Sequence, residues 1–270
     1  MKRLLGIVLP AVLMSVSIGG CVGTTDRSND SVAGGNSIIP RAEIDTEQRR
    51  RARIRLELAS NHYQSRNYST ALDELRQALT IDPEYPAAYG MLGLVYMDLD
   101  DRQRAEGSFQ RALQLAPGDP DINVNYGWFL CQTGRYREAI PRFEQAANDK
   151  LYGGASKALH NAGICLRRAG DDVGAEGYLL RAFKADPRNA VAMFNLGELY
   201  LARQDYEKAR FYAQRLVKSF EPAAQTLWLA TKVEQASGNR DGFLSLGQQL
   251  RRQFPGSREA TLLSEGRFND

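Results

Sequence analysis

Few residues in this 270-residue chain could do chemistry beyond hydrogen bonding. There are three cysteines (Cys21, Cys131 and Cys165) and two histidines (His62 and His160). A structural metal site of Cys/His type gathers about four such ligands, and histidine catalysis needs a partner within hydrogen-bond reach. No Gly-rich phosphate loop, Gly-x-Ser-x-Gly elbow or His-Glu-x-x-His helix occurs in the sequence. The acidic pairs Asp100-Asp101 and Asp171-Asp172 fall at turns between repeated segments, where solvation or capping is the expected role. The expectation is therefore a protein without catalytic residues, metal site or cofactor. Composition agrees: 43% hydrophobic and 25% charged residues describe a folded chain, and a net charge of +3 is too small for a concentrated nucleic-acid-binding face.

Cys21 stands apart from the other two cysteines because of what precedes it. Lys2 and Arg3 form a positive start, Leu4 to Val16 an apolar stretch broken by Pro10, and Gly19-Gly20 lead into the cysteine. This is the pattern of a cleavable secretory signal, and the apolar run is short of the roughly 20 residues that span a bilayer. Ile18-Gly19-Gly20-Cys21 resembles the bacterial lipobox, in which cleavage leaves a lipidated N-terminal cysteine. An ordinary signal peptide with an incidental cysteine is the other reading. Val22 in place of Asp after the cysteine resembles outer-membrane sorting. Without residues 1–20 the net charge falls to +1. Residues 22–40 are rich in Gly, Ser, Thr, Asn and Asp and read as a tether. The expected organisation is a signal peptide over 1–20, a lipid-anchored tether over 21–45 and a folded domain over 46–270.

The folded part repeats. Ala71, Ala105, Ala139, Ala175, Ala209 and, more weakly, Phe243 recur at spacings of 34, 34, 36, 34 and 34 residues. A period of 34 is that of the tetratricopeptide repeat (TPR), a helix–turn–helix unit. The second unit carries the whole pattern in Tyr89, Leu92-Gly93, Tyr96, Ala105, Phe109, Ala112 and Pro117. Small residues let the two helices approach, bulky ones fill the gap, and proline ends the second helix. Thr133-Gly134, Ala169-Gly170 and Ser237-Gly238 supply tight turns within units. Six units follow, at about 52–85, 86–119, 120–153, 156–189, 190–223 and 224–255. Residues 258–268 could add a capping helix, as terminal repeats need. The fold class expected is all-α, twelve helices and a cap in one right-handed superhelix.

Stacked units of this kind present a concave groove lined by the first helix of each pair. Helical phase places Tyr63, Leu94, Met97, Trp128, His160, Ile164, Phe194, Glu198 and Trp228 on it, where packing between repeats is the alternative role. Such a lining suits an extended or helical peptide. With Cys21 lipidated, Cys131 and Cys165 would remain in an oxidising periplasm, on neighbouring first helices. Either a bridge or two buried thiols fits the residues alone. The basic run Arg49-Arg50-Arg51, with Arg53 and Arg55, is expected to be a solvated face; anionic lipid head groups are its other candidate.

The segment Asn123-x-Asn125-Tyr126-Gly127-Trp128-Phe129-Leu130-Cys131-Gln132-x-Gly134-Arg135 resembles the type IV pilus biogenesis and stability lipoproteins, the PilF/PilW family. Glu138-Ala139, Phe143, Leu151-Tyr152 and Asn161-Ala162-Gly163-x-Cys165 continue the likeness, and lipobox, tether and six repeats follow the family's order. The resemblance implies a pilotin, an outer-membrane lipoprotein facing the periplasm that brings the pilus secretin to the outer membrane and promotes its multimerisation. It also places the family's paired cysteines on Cys131 and Cys165. The chain is expected to act as a monomer. The competing reading is another outer-membrane TPR lipoprotein, serving β-barrel assembly or cell-wall enzymes.

Overall fold

Short polar side chains start most of the helices. Thr46, Asn67, Asp101, Asp119, Asp171, Asn189, Asp205, Asn239 and Ser257 each accept a hydrogen bond from the backbone N–H three residues on. That satisfies one of the donors a helix start leaves open. A computed structural model describes residues 46–268, so the signal peptide, Cys21 and the tether lie outside the described residues.

Six helix pairs result. They are α1 (Glu47–Gln64) with α2 (Tyr68–Ile81), α3 (Pro86–Asp98) with α4 (Arg102–Leu115), and α5 (Pro120–Gln132) with α6 (Tyr136–Ala147). Then come α7 (Ala155–Arg168) with α8 (Asp172–Ala185), α9 (Ala190–Ala202) with α10 (Tyr206–Ser219), and α11 (Ala224–Ala236) with α12 (Arg240–Gln253). A thirteenth helix, α13 (Arg258–Glu265), packs on α11 and α12 as the cap. No strand occurs among the described residues. Helix α1 starts five residues before the first unit expected from the repeat, because Thr46 caps it and Glu47 sits favourably in its positive first turn.

Four of the closing prolines, Pro83, Pro117, Pro187 and Pro255, directly follow the C-terminal caps of α2, α4, α8 and α12. Inside the pairs, Gly134, Gly170 and Gly238 take φ of 80°, 80° and 74°, the left-handed turn that costs glycine nothing. The other three turns place Arg66, Asp100 and Gln204 in the same region.

The alanine landmarks Ala71, Ala105, Ala139, Ala175 and Ala209 are fully buried. Glycines on the first helices explain the close approach. A Cβ at Gly93 would fall 2.6 Å from Phe109, at Gly127 2.9 Å from Phe143, and at Gly163 2.6 Å from Leu179. Gly197 departs from this: its Cβ would meet Leu229 of α11 at 2.9 Å, so the glycine there admits the next repeat and not its own second helix. Fully buried Phe109 and Phe143 fill the gaps, and truncating such a side chain to alanine costs about 3–5 kcal/mol.

The backbones of successive odd-numbered helices from α1 to α11 come within 8 Å of one another, whereas among the described residues successive even-numbered helices meet through side chains alone, as Arg181 of α8 meets Glu144 of α6. The first helices therefore form the tighter, inner layer and the second helices splay on the outside. This difference bends the stack into a right-handed superhelix with a concave face made by α1, α3, α5, α7, α9 and α11.

Candidate functional site

The inner helices carry their outward-phase residues in a half-buried state. Tyr63, Leu94, Met97, Trp128, His160, Ile164, Phe194 and Glu198 each keep part of their surface accessible. Leu94, Met97 and Trp128 rest on the core of the second to fourth pairs, and Phe194 on the core of the fourth to sixth. Apolar side chains in this position give up part of their surface to the fold and leave the rest accessible.

At the α1 end, Tyr63 packs on Tyr68 with ring centroids 5.9 Å apart. Burial, reinforced by Asp98, pushes its phenol well above the usual range. In the middle, the Arg168 guanidinium carbon on α7 lies 4.8 Å from the Trp128 ring centroid on α5. Arg167 reaches the other way and donates to Asn195 Oδ1 on α9 at 3.1 Å. Glu198 on α9 pairs with Lys232 on α11 at 3.0 Å.

His160 is tied into the helix starts around it. Asn189 Oδ1 accepts from Ala192 N at 2.8 Å, which orients its amide. Its Nδ2 then donates to Ser156 Oγ at 2.7 Å and meets His160 Nδ1 at 2.9 Å. Because Nδ2 can only donate, Nδ1 accepts, and the neutral ring carries its proton on Nε2. Burial lowers the His160 pKa from 6.5, and the charge of Lys157 adds to the effect. The same residues line a surface depression of about 580 Å³ with Tyr152 and Lys157.

Trp228 is placed differently from its neighbours. It is 6% exposed because Phe268, beyond the cap helix, stacks on it. Its role is mainly to bind the cap. Phe268 also walls a depression of about 350 Å³ between α9 and α11, lined by Glu198, Leu201, Lys232 and Gln235.

Cys131 and Cys165 are both buried and are joined in the structure, linking α5 to α7 with Cα atoms 5.6 Å apart, a usual disulfide span. The basic run of α1 is not one solvated face. Arg49 donates to Asp82 and to the Glu84 carbonyl (3.2 Å) and lies over the Tyr85 ring at 4.6 Å. Arg55 pairs with Glu74 at 3.0 Å. Both arginines are consumed by packing within the first two units, because α2 folds back on α1 and brings Glu74, and Asp82 and Glu84 beyond its end, up to them.

Sequence phase did not single out Arg167 and Arg168, although they share a stripe with His160 and Ile164. Phe268 falls in the expected cap over 258–268, but no repeat position shows that it meets Trp228. Among the described residues no helix is long and apolar enough to cross a membrane, and no three His, Cys, Asp or Glu side chains are grouped to hold a metal ion.

The fold and its inner face define the class, a TPR scaffold of the kind that binds protein partners. Tetratricopeptide-repeat family profiles match residues 56–120 and 130–190, with further matches over 96–151 and 178–211. The chain is 27% identical over 247 residues to the type IV pilus assembly protein PilF of Pseudomonas aeruginosa, covering 92% of this chain and 93% of that one. The crystal structure of PilW, described as a widely conserved type IV pilus biogenesis factor, superposes with a TM-score of 0.71 at 29% identity, over 79% of this chain and 98% of that one. The structure of Pseudomonas aeruginosa PilF gives the same TM-score at 25% identity, over 82% and 100%. The chain belongs to the tetratricopeptide-repeat family and is homologous to the type IV pilus proteins PilF and PilW.

Proposed function

We propose that the protein is a pilotin, an outer-membrane lipoprotein that captures an unassembled pilus secretin subunit in its concave groove. The observation that carries the reading is the run of half-buried apolar side chains, Leu94, Met97, Trp128, Ile164 and Phe194, along adjacent inner helices. A surface of this type suits a bound polypeptide segment. The mechanism is binding without chemistry. Lipidated Cys21 holds the protein at the outer membrane, the tether lets the scaffold sample the periplasm, and the captured subunit is concentrated where rings form. A single acyl chain gives only marginal attachment, so more than one buried chain is needed for a stable anchor.

Deleting the gene and assaying secretin multimers in outer-membrane fractions tests the reading. Loss of multimers and pili is expected. Intact multimers with normal pili would reject it, and loss of many unrelated barrel proteins would favour a role in general barrel assembly. Cys21→Ala separates the two halves of the mechanism: secretin binding persists in vitro while the secretin is no longer delivered to the outer membrane.

A further inference from the structure

The middle of the concave face has an uncompensated positive charge. Helix α7 contains Lys157, Arg167 and Arg168 and no acidic residue. The flanking inner helices supply one carboxylate each, and both are engaged: Asp121 of α5 accepts from the Tyr152 hydroxyl at 3.0 Å, and Glu198 of α9 is held by Lys232. Arginines elsewhere that cross between helices meet carboxylates, as Arg135 does with Glu106, Arg181 with Glu144, Arg203 with Glu176 and Arg210 with Glu234. Arg167 and Arg168 do not. Their partners are the neutral Asn195 amide and the Trp128 face, which fix each guanidinium in place and leave its charge intact. Arg167, half-buried and hydrogen-bonded, has already lost part of the rotamer freedom that binding would otherwise cost, and both guanidiniums can still offer paired donors to a carboxylate.

Apolar surface continues on both sides of this charge. Leu94, Met97 and Trp128 lie toward the N-terminal repeats, and Phe194 lies on the next inner helix toward the C-terminus. A ligand that ended at the arginines would leave one side empty. We therefore infer that the groove takes an internal, extended segment carrying an Asp or Glu whose side-chain carboxylate is received by Arg168 beside Trp128 or by Arg167 beside Asn195, with apolar residues on either side packing against Met97–Trp128 and Phe194. The inference rests on the groove being the secretin-binding surface, and it specifies which kind of secretin segment binds there.

The test uses the full mature protein against the purified secretin subunit and against overlapping 15-residue peptides covering that subunit. Each peptide is made with its Asp and Glu intact, replaced by Asn and Gln, or replaced by Lys, and with free or amidated C-termini. Bound segments should contain an acidic residue between apolar ones. Their affinity should fall at least about tenfold on amide replacement, and by a similar factor with Arg167→Glu/Arg168→Glu protein, as expected for charge-assisted hydrogen bonds. The Lys-substituted peptide should regain binding to the charge-reversed protein, an outcome that a misfolded variant could not produce. Arg167→Gln/Arg168→Gln supplies a milder variant should reversal unfold the stack. Secretin binding that ignores both arginine changes would overturn this inference and leave the pilotin reading standing. Binding that requires a free peptide C-terminus would overturn it in favour of a terminal carboxylate. Failure of the unaltered protein to bind the secretin subunit at all would overturn the pilotin reading, and this inference with it.

Discussion

Phe268 stacks on Trp228 with ring centroids 5.4 Å apart and planes 22° from parallel, closing the last inner helix with a residue from beyond the cap. Phe243 meets the same ring edge-on at 5.8 Å. Phe268→Ala should uncover the indole and red-shift its emission, read in a Trp128→Phe background so that Trp228 is the sole tryptophan. Lost aromatic contact and burial predict a stability loss of about 1–2 kcal/mol. Unchanged emission would mean that the cap does not cover Trp228 in solution.

Glu234 is a buried carboxylate, its side chain 3% exposed, at the position that Tyr200 occupies one repeat earlier. Arg210 Nε donates to its Oε2 at 3.2 Å, Gln214 to its Oε1 at 3.1 Å, and Asn239 to its Oε2 at 2.8 Å. Arg210→Met leaves that carboxylate buried without its cation and should cost about 3–5 kcal/mol. Arg210→Met combined with Glu234→Leu should lose clearly less than the first change alone, because the uncompensated charge is gone. Denaturant unfolding of the two variants decides the point, and a double variant no better than the single one would contradict it.

The Cys131–Cys165 link closes a loop with a sequence separation of 34 residues, across the junction where the repeat spacing slips to 36. Chain-entropy reasoning assigns such a loop about 3–4 kcal/mol. A non-reducing mass about 2 Da below that of the reduced protein is expected, and reductant should lower the thermal midpoint. Cys131→Ser/Cys165→Ser should lower that midpoint to a similar extent and abolish the response to reductant. Recovery of two alkylatable thiols from protein isolated without reductant would reject the link.

How far the sequence could be read depended on whether a contact lies inside the repeat. Gly93 against Phe109 and Gly127 against Phe143 are fixed offsets within one unit, so the period exposes both partners and the helix pair with them. Gly197 shares the same sequence signature and yet faces Leu229 of the next unit, because Ala213 sits where the bulky partner stands in other pairs. Periodicity shows that a small residue is needed there but not which neighbour needs it. Helical phase places Trp228 on the open groove for a related reason: the ring that covers it comes from 40 positions away and outside any repeat. The arginine run of α1 looked solvated because its partners Asp82 and Glu74 become neighbours only when α2 folds back. Arg167 and Arg168 share the stripe of His160 and Ile164, but that they lack carboxylate partners is a property of three helices together.

Three of the turns within pairs hold side-chain-bearing residues in the left-handed region, at φ of 57° for Arg66, 56° for Asp100 and 61° for Gln204. Their counterparts in the other pairs are glycines. A residue with a Cβ is strained there by about 1 kcal/mol, partly offset by the greater freedom glycine has in the unfolded chain. Gln204→Gly should therefore stabilise the protein by up to about 1 kcal/mol, and Gly170→Val should destabilise it by more than that. Thermal midpoints of the two variants check the pair, and movement in the same direction would defeat the argument.

His160 makes stability depend on pH in a window of its own. Burial holds its folded pKa below the unfolded value of 6.5. Above pH 6.5 the ring is neutral in both states and the full stability is present. As pH falls below 6.5, the unfolded chain takes up a proton that the folded chain refuses, so stability declines until the folded pKa is reached. Glu144, held low by Arg181, and Glu176, held low by the Tyr200 hydroxyl and Arg203, add their own losses only as pH falls through the unfolded carboxylate value of 4.5. Urea midpoints between about pH 5 and 7.5 should therefore rise with pH for the unaltered protein and flatten in His160→Gln. Equal slopes for the two proteins would show that the imidazole does not titrate between states, and that burial does not keep it neutral.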